Sequence, residues 1–304
     1  MHTLPYLRTP ESRFENLVDY PYHANYAFID GLRMHYVDEN KSSDKVIVLV
    51  HGEPTWGYLY RNMIPLFVEQ GFRVIVPDLI GFGKSDKLKN KKEYSYSGSV
   101  KWLEQFLFEH LQLSNMHIVL HDWGGLLGLR TVANFPDKFL SVIAMNTALP
   151  RFEGINPVFL LWRFLSQPLL FIPFNLLIPL GIVRKISKDE LKAYDAPFPN
   201  RKFKGGPLQF PKLVPLFPWQ KELKINKAIW QKLGACKVPF LTIFSTNDPF
   251  TKRVEEKLIA HIPGAFKQPH VKISNAGHLI QEDKPKLVAE YIINFTAGLN
   301  QPKA

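Results

Sequence analysis

Asn115-Met-His-Ile-Val-Leu-His-Asp-Trp-Gly-Gly-Leu-Leu-Gly-Leu129 reads as a buried strand that stops at a turn and restarts as a helix. The apolar run Met116–Leu120 has the length and composition of a strand, and Leu126–Ala133 has those of a helix. Between them stand His121, Asp122, Trp123, Gly124 and Gly125. Asp is a good helix N-cap, but capping alone does not account for the tryptophan or the glycine pair. A sharp strand-to-helix turn does, because it exposes one side chain at its tip. Here that side chain is a carboxylate. It is ionised at pH 7 and can attack an sp3 carbon carrying a good leaving group, giving an alkyl ester on the protein.

Working outward, apolar strands and helices alternate. Ala27–Asp38 reads as a hairpin turning at Asp30-Gly31. Val46–Val50, Arg73–Val76, Phe139–Met145, Val238–Phe244 and His270–Ile273 read as short strands. Tyr58–Gln70 reads as a helix closed by Gly71. Val100–Leu111, Val254–His261 and Lys286–Phe295 read as further helices. This pattern predicts an α/β fold with a mostly parallel sheet flanked by helices. It lapses between Pro150 and Asn226, which is rich in proline and aromatics and shows no strand pattern. We expect an inserted helical cap over 150–226, with the core formed by 1–149 and 227–304. Active sites in open α/β sheets lie at the carboxyl ends of the strands, so the cap should close over Asp122.

Composition narrows the setting. The 304 residues are 46% hydrophobic and 21% charged, enough to build a sizeable core. The net charge of +11 comes from scattered Lys and Arg without a recognition motif, so no nucleic-acid partner is expected. The single cysteine, Cys236, excludes an intrachain disulfide and fits a reducing compartment. The N-terminus lacks the long apolar core of a secretory signal, and a cytoplasmic location is expected. Residues 164–183 carry no charge and match a membrane span in length. Pro168, Pro173 and Pro179 interrupt them, with Gln167 and Asn175, and proline inside a helix costs about 3 kcal/mol. A lid of short apolar helices is expected rather than stable insertion, and contact with a membrane surface stays open.

An ester on Asp122 must be hydrolysed, which needs a general base and a group to orient it. His278 follows the last strand in Ser274-Asn-Ala-Gly-His278, and Asp248 follows the strand before it in Asn247-Asp-Pro249. Each alone could be an ordinary loop residue. The order nucleophile, acid, histidine is that of the α/β-hydrolase fold. The loop after Val46–Val50 is where that fold donates an oxyanion-hole N–H, so the backbone N–H groups of Glu53 and Trp123 are the candidates. His51 is expected to brace its loop by hydrogen bonding. His121 is expected to be structural, with its side chain turned away from that of Asp122.

At these residues the chain resembles the haloalkane dehalogenases. The resemblance rests on His51-Gly-Glu-Pro-Thr-Trp-Gly-Tyr-Leu-Tyr-Arg61, Pro77-Asp-Leu-Ile-Gly-Phe-Gly-Lys-Ser-Asp86, His121-Asp-Trp-Gly-Gly125 and Asn275-Ala-Gly-His278. It implies catalytic Asp122, Asp248 and His278, with Trp123 binding the halide. Two positions point to subfamily I. Glu53 stands where subfamily II usually has asparagine, and Asn146 stands where subfamily II places its acid. Subfamily I takes its second halide-binding tryptophan from the cap, which nominates Trp162 in Phe159-Leu-Leu-Trp-Arg-Phe164. Indole N–H is donor-only and suits a departing anion, although Trp162 could also be a plain cap-core aromatic. The resemblance implies a small haloalkane substrate, a halide product and no metal or organic cofactor; a monomer is expected. The alternative is an epoxide hydrolase, a family that typically supplies two cap tyrosines. Between Pro150 and Asn226 the only tyrosine is Tyr194. A serine esterase lacks its Gly-x-Ser-x-Gly motif here. A non-catalytic binder of this fold would commonly have lost one of the three catalytic positions.

Overall fold

The computed structural model describes residues 4–151, 157–169 and 177–299, with backbone alone for 165–169. Among these residues the strands are β1 (Tyr6–Leu7), β2 (Asn25–Ile29), β3 (Leu32–Glu39), β4 (Val46–Val50), β5 (Arg73–Pro77), β6 (Lys87–Leu88), β7 (Met116–His121), β8 (Phe139–Met145), β9 (Phe240–Ser245) and β10 (Val271–Ile273). Eight of them form one sheet in the order β10-β9-β8-β7-β4-β5-β3-β2, while β1 pairs with β6. Within the large sheet only the β2–β3 and β3–β5 pairings are antiparallel. The β2–β3 turn has positive φ at both Asp30 and Gly31, as a type I′ hairpin requires. No residue of β4 or β7 is exposed, which is why their sequences run apolar without alternation.

The helices are α1 (Ile64–Glu69), α2 (Tyr96–Glu104), α3 (Trp123–Asn134), α4 (Pro157–Leu169), α5 (Lys188–Asp195), α6 (Gly205–Leu213), α7 (Lys221–Leu233), α8 (Val254–His261), α9 (Ile280–Asp283) and α10 (Pro285–Gly298). Among them α1 packs with α10, α3 with α2 and α7, and α4 with α6. Three differences from the sequence reading have clear local causes. Tyr58–Gln70 is not one helix: Gly57–Tyr60 is a 3-10 turn and α1 starts only at Ile64, with Pro65 in its first turn, where its missing N–H costs nothing. The helix expected from Val100 starts at Tyr96 because the Ser95 hydroxyl caps it, accepting the Gly98 N–H at 3.1 Å. Strand β9 begins two residues late, since Pro239 has no N–H to give a neighbouring strand.

The parallel register aligns the strand ends. Val50 lies beside Leu120, Leu120 beside Ala144, Met145 beside Ile243, and Ile243 beside Val271. The loops carrying Glu53, Asp122, Asn146, Asp248 and His278 therefore leave the sheet along one edge. Between β8 and β9 the described residues form α4, a 3-10 turn at Ile178–Gly181, and α5 to α7, with no strand. Of the apolar stretch 164–183, residues 170–176, which include Pro173 and Asn175, lie outside the described residues. No helix among the described residues is long and apolar enough to cross a membrane.

Candidate active site

Asp122 sits at the tip between β7 and α3 with φ 48° and ψ −121°, a region that costs an ordinary side chain about 1–3 kcal/mol. The surroundings over-determine it. Thr147 Oγ1 donates to the Asp122 carbonyl at 2.6 Å. A Cβ on Gly124 would lie 2.3 Å from the Val50 carbonyl oxygen, and one on Gly125 would lie 1.9 Å from Thr147 Oγ1. The glycine pair thus lets α3 start against β4, which explains what N-capping could not. Gly124→Ala should destabilise the fold by about 1–3 kcal/mol or more through overpacking against backbone. Thermal denaturation checks it, and an unchanged Tm would contradict the close approach.

The Asp122 carboxylate reaches two loops. Oδ1 accepts the Glu53 backbone N–H at 2.8 Å, and Oδ2 lies 3.4 Å from His278 Nε2. Burial alone would raise the Asp122 carboxyl, but the His278 bond and charge and the Trp123 backbone N–H outweigh it and hold it below its usual range. The side chain is still 22% exposed, so it can meet a ligand.

His278 Nδ1 lies 3.0 Å from Asp248 Oδ2. Asp248 is fixed in turn: the Thr251 hydroxyl donates to Oδ2 and the Phe250 N–H to Oδ1 at 2.9 Å. Burial would lower His278, yet Asp248 and Asp122 on its two sides push it up to about 10. Flanked by two carboxylates, the histidine is thus favoured in its imidazolium form while Asp122 is ionised.

The neighbouring histidines take the structural places expected of them. His51 Nε2 accepts the Leu79 N–H at 3.0 Å, which leaves Nδ1–H to donate to the Gly52 carbonyl at 2.9 Å. His121 Nε2 lies 2.8 Å from the His278 carbonyl, and burial lowers its pKa to about 4, so it stays neutral. Asn146, excluded as an acid, has a bracing role that the sequence did not suggest. Its amide donates to the His278 carbonyl at 2.9 Å and the Gly277 carbonyl at 3.1 Å, while its oxygen accepts the Ser245 N–H at 2.9 Å.

These groups open into a cavity of about 160 Å³ walled by Phe159, Trp162, Leu177, Ile178, Pro211, Phe250 and Leu279. Trp123 and Trp162 both line it. An apolar cavity of about 150 Å³ holds a benzene-sized molecule, so a ligand of a few carbons fits. The Glu53 side chain also lines the cavity. It is 7% exposed, its Oε1 has no hydrogen-bond partner, and burial beside Asp122 raises its pKa well above the usual range. The sequence reading used only its backbone N–H. A carboxyl next to the nucleophile, legible in His51-Gly-Glu53, was the available signal. The single cap tyrosine is turned elsewhere: the Tyr194 hydroxyl donates to Glu282.

The chain is similar to known proteins over nearly its whole length. A family profile described as alpha/beta hydrolase fold matches residues 45–285. A haloalkane dehalogenase of Mycolicibacterium paratuberculosis is 43% identical over 299 residues, spanning 96% of this chain and 99% of its own. One from Psychrobacter cryohalolentis is 42% identical over 295 residues, spanning 95% of this chain and 97% of its own. Among solved structures, a tetrameric haloalkane dehalogenase from Paraglaciecola agarilytica superposes with a TM-score of 0.88 at 32% identity, covering 98% of this chain and all of its own.

Proposed function

The chain belongs to the haloalkane dehalogenases of the α/β-hydrolase fold, and we propose that Asp122, Asp248 and His278 carry its reaction with Trp123 and Trp162 holding the halide. The enzyme hydrolyses carbon–halogen bonds, giving alcohol, halide and a proton. The observation that supports these residue roles best is that the Asp122 carboxylate, a carboxylate-backed histidine and two indole donors share one apolar cavity.

The steps follow from which oxygen is held. The Glu53 N–H marks Oδ1 as the future oxyanion, leaving Oδ2 to attack. Its electron pair forms the C–O bond, and the halide leaves with the C–X pair toward Trp123 and Trp162. In a water-poor cavity such donors are worth more than in bulk water. Alkylation removes the Asp122 charge that helped hold the His278 proton, so the His278 pKa falls below its free-enzyme value of about 10 and the ring becomes a competent base. His278 Nε2 then takes a proton from water, whose oxygen adds to the Asp122 carbonyl carbon. The N–H groups of Glu53 and Trp123 hold the oxyanion until the C–O bond to the leaving alkoxide breaks. The alkoxide takes the His278 proton, and the new Asp122 carboxyl ionises to recharge the ring. The proton that the ring shed to solvent after alkylation is the one released overall. The proposal calls on no metal or cofactor.

The epoxide alternative needs a donor to the ring oxygen, and Tyr194 is committed to Glu282. We further propose subfamily I, from Glu53, Asp248 and Trp162, and a cap over 150–226. The cap boundaries are supported by Asn226, which donates to the Pro150 carbonyl at 2.7 Å and accepts from Arg130 at 2.8 Å, although α7 runs unbroken through Asn226. We propose a cytoplasmic monomer; the Paraglaciecola relative is tetrameric, so light scattering is the check.

Halide release and acidification with 1-bromoalkanes and 1,2-dibromoethane test the clamp. Trp162→Phe keeps the ring but loses the donor, and kcat/KM should fall about a hundredfold, as for loss of one oxyanion donor. Turnover within twofold of wild type would reduce Trp162 to a wall of the cavity.

A further inference from the structure

The loop carrying His278 is held from two sides. On the core side His121 and Asn146 bind its carbonyl. On the cap side the ties are denser. The Leu279 N–H donates to the Gly181 carbonyl at 2.8 Å. The Asp283 carboxylate accepts the N–H groups of Val183 and Arg184, at 2.9 and 2.8 Å, and also that of Gly277 at 2.7 Å. Arg184 Nε donates to the Glu282 carbonyl at 2.7 Å.

Behind this seam lies a balanced cluster of two arginines and two glutamates. Glu282, fully buried, takes Arg61 Nη1 at 2.5 Å, together with Arg184 and the Tyr194 hydroxyl. Glu190 of α5 joins both arginines at 2.6 Å. Arg61 and Glu282 belong to the core, and Arg184, Glu190 and Tyr194 to the cap region. Buried ion pairs are often no more stable than apolar packing of the same shape, so stability alone is a poor reason for this cluster. What it fixes is geometry: α9 begins two residues after His278.

The two half-reactions depend on this geometry unequally. The Asp122 carboxylate touches His278 at 3.4 Å, but its N–H donors, on Glu53 and Trp123, lie outside the histidine loop. Ester hydrolysis needs His278 Nε2 in place. We infer that the Arg61–Arg184–Glu190–Glu282 cluster is a positioning device that ties the cap to the base, setting the rate of ester hydrolysis and leaving the alkylation rate alone. This rests on the proposed roles of Asp122 and His278.

Arg184→Met is the variant of choice, because Arg184 is 29% exposed and its loss leaves the Arg61–Glu282 pair intact. Glu190→Gln serves as an independent second variant. Rapid-quench kinetics with 1,2-dibromoethane separate the halide burst from later turnover, and mass spectrometry of the quenched protein follows the ester. Displacing a catalytic group by about 1 Å can cost a hundredfold, so hydrolysis should slow about tenfold or more, while the burst rate stays within about twofold of wild type. The ester should accumulate, and Arg184→Lys should recover part of the loss. If both steps slow together, or if neither slows while only Tm falls, the cluster is merely structural and the inference is overturned. If wild type forms no ester on Asp122, the proposed site itself fails, and the inference with it.

Discussion

Replacing Asp122 with asparagine is expected to abolish halide release, with a loss in kcat of about 10⁶, the scale found when a catalytic nucleophile is removed. Among the described residues the cavity presents two carboxyls, and burial beside Asp122 pushes the pKa of the other, Glu53, well above the usual range, which leaves Asp122 as the nucleophile. A neutral amide has neither the charge nor the lone-pair energy to displace halide from carbon. Asparagine keeps the side-chain shape and can still accept the Glu53 N–H. It also tolerates positive φ better than alanine does, which matters at φ 48°. The variant should therefore fold and still bind halide, as quenching of Trp123 and Trp162 fluorescence would report. Loss of turnover with retained halide binding assigns the nucleophile. Halide release within tenfold of wild type would remove Asp122 from that role, and Glu53 would be the carboxylate to examine next.

The site was legible where its chemistry depends on residues close in sequence. His121-Asp-Trp-Gly-Gly125 carries its own turn, and the parallel sheet makes strand ends converge, so Asp248 and His278 could be placed from strand order alone. Contacts between distant segments were not legible. Nothing near Asn146 announces that its amide holds the His278 carbonyl, 132 positions away. Arg61 and Glu282 are 221 positions apart and meet only because the loop after β4 packs against α9, which follows the last strand of the sheet. The Glu53 carboxyl was passed over for a related reason, since its raised pKa follows from burial against Asp122 and not from its own neighbours. The helix boundaries that moved did so for local causes, the Ser95 cap and Pro65, which a period-counting reading weighs too lightly.

Replacing His278 with glutamine should split the reaction in two. Alkylation needs Asp122 and the halide donors, so the variant should release one equivalent of halide in a burst and then stall, with hydrolysis slowed about 10²–10⁴-fold by loss of the general base. Intact-protein mass spectrometry should find the alkyl group on the peptide containing Asp122. The same division sets the pH dependence in wild type. Asp122 stays ionised below the usual carboxylate range, so the burst should persist into mild acid. Hydrolysis requires neutral His278, so its rate should fall as pH drops through the His278 pKa of the alkyl-enzyme. That pKa lies below the free-enzyme value of about 10, because one of the two flanking carboxylates is now a neutral ester. Free-enzyme titration of His278 by NMR and the pH profile of single-turnover hydrolysis should thus give different pKa values, the second lower. Coincident values would mean that the Asp122 charge does not hold the histidine proton, and that the base is in position but not switched by the chemistry it completes.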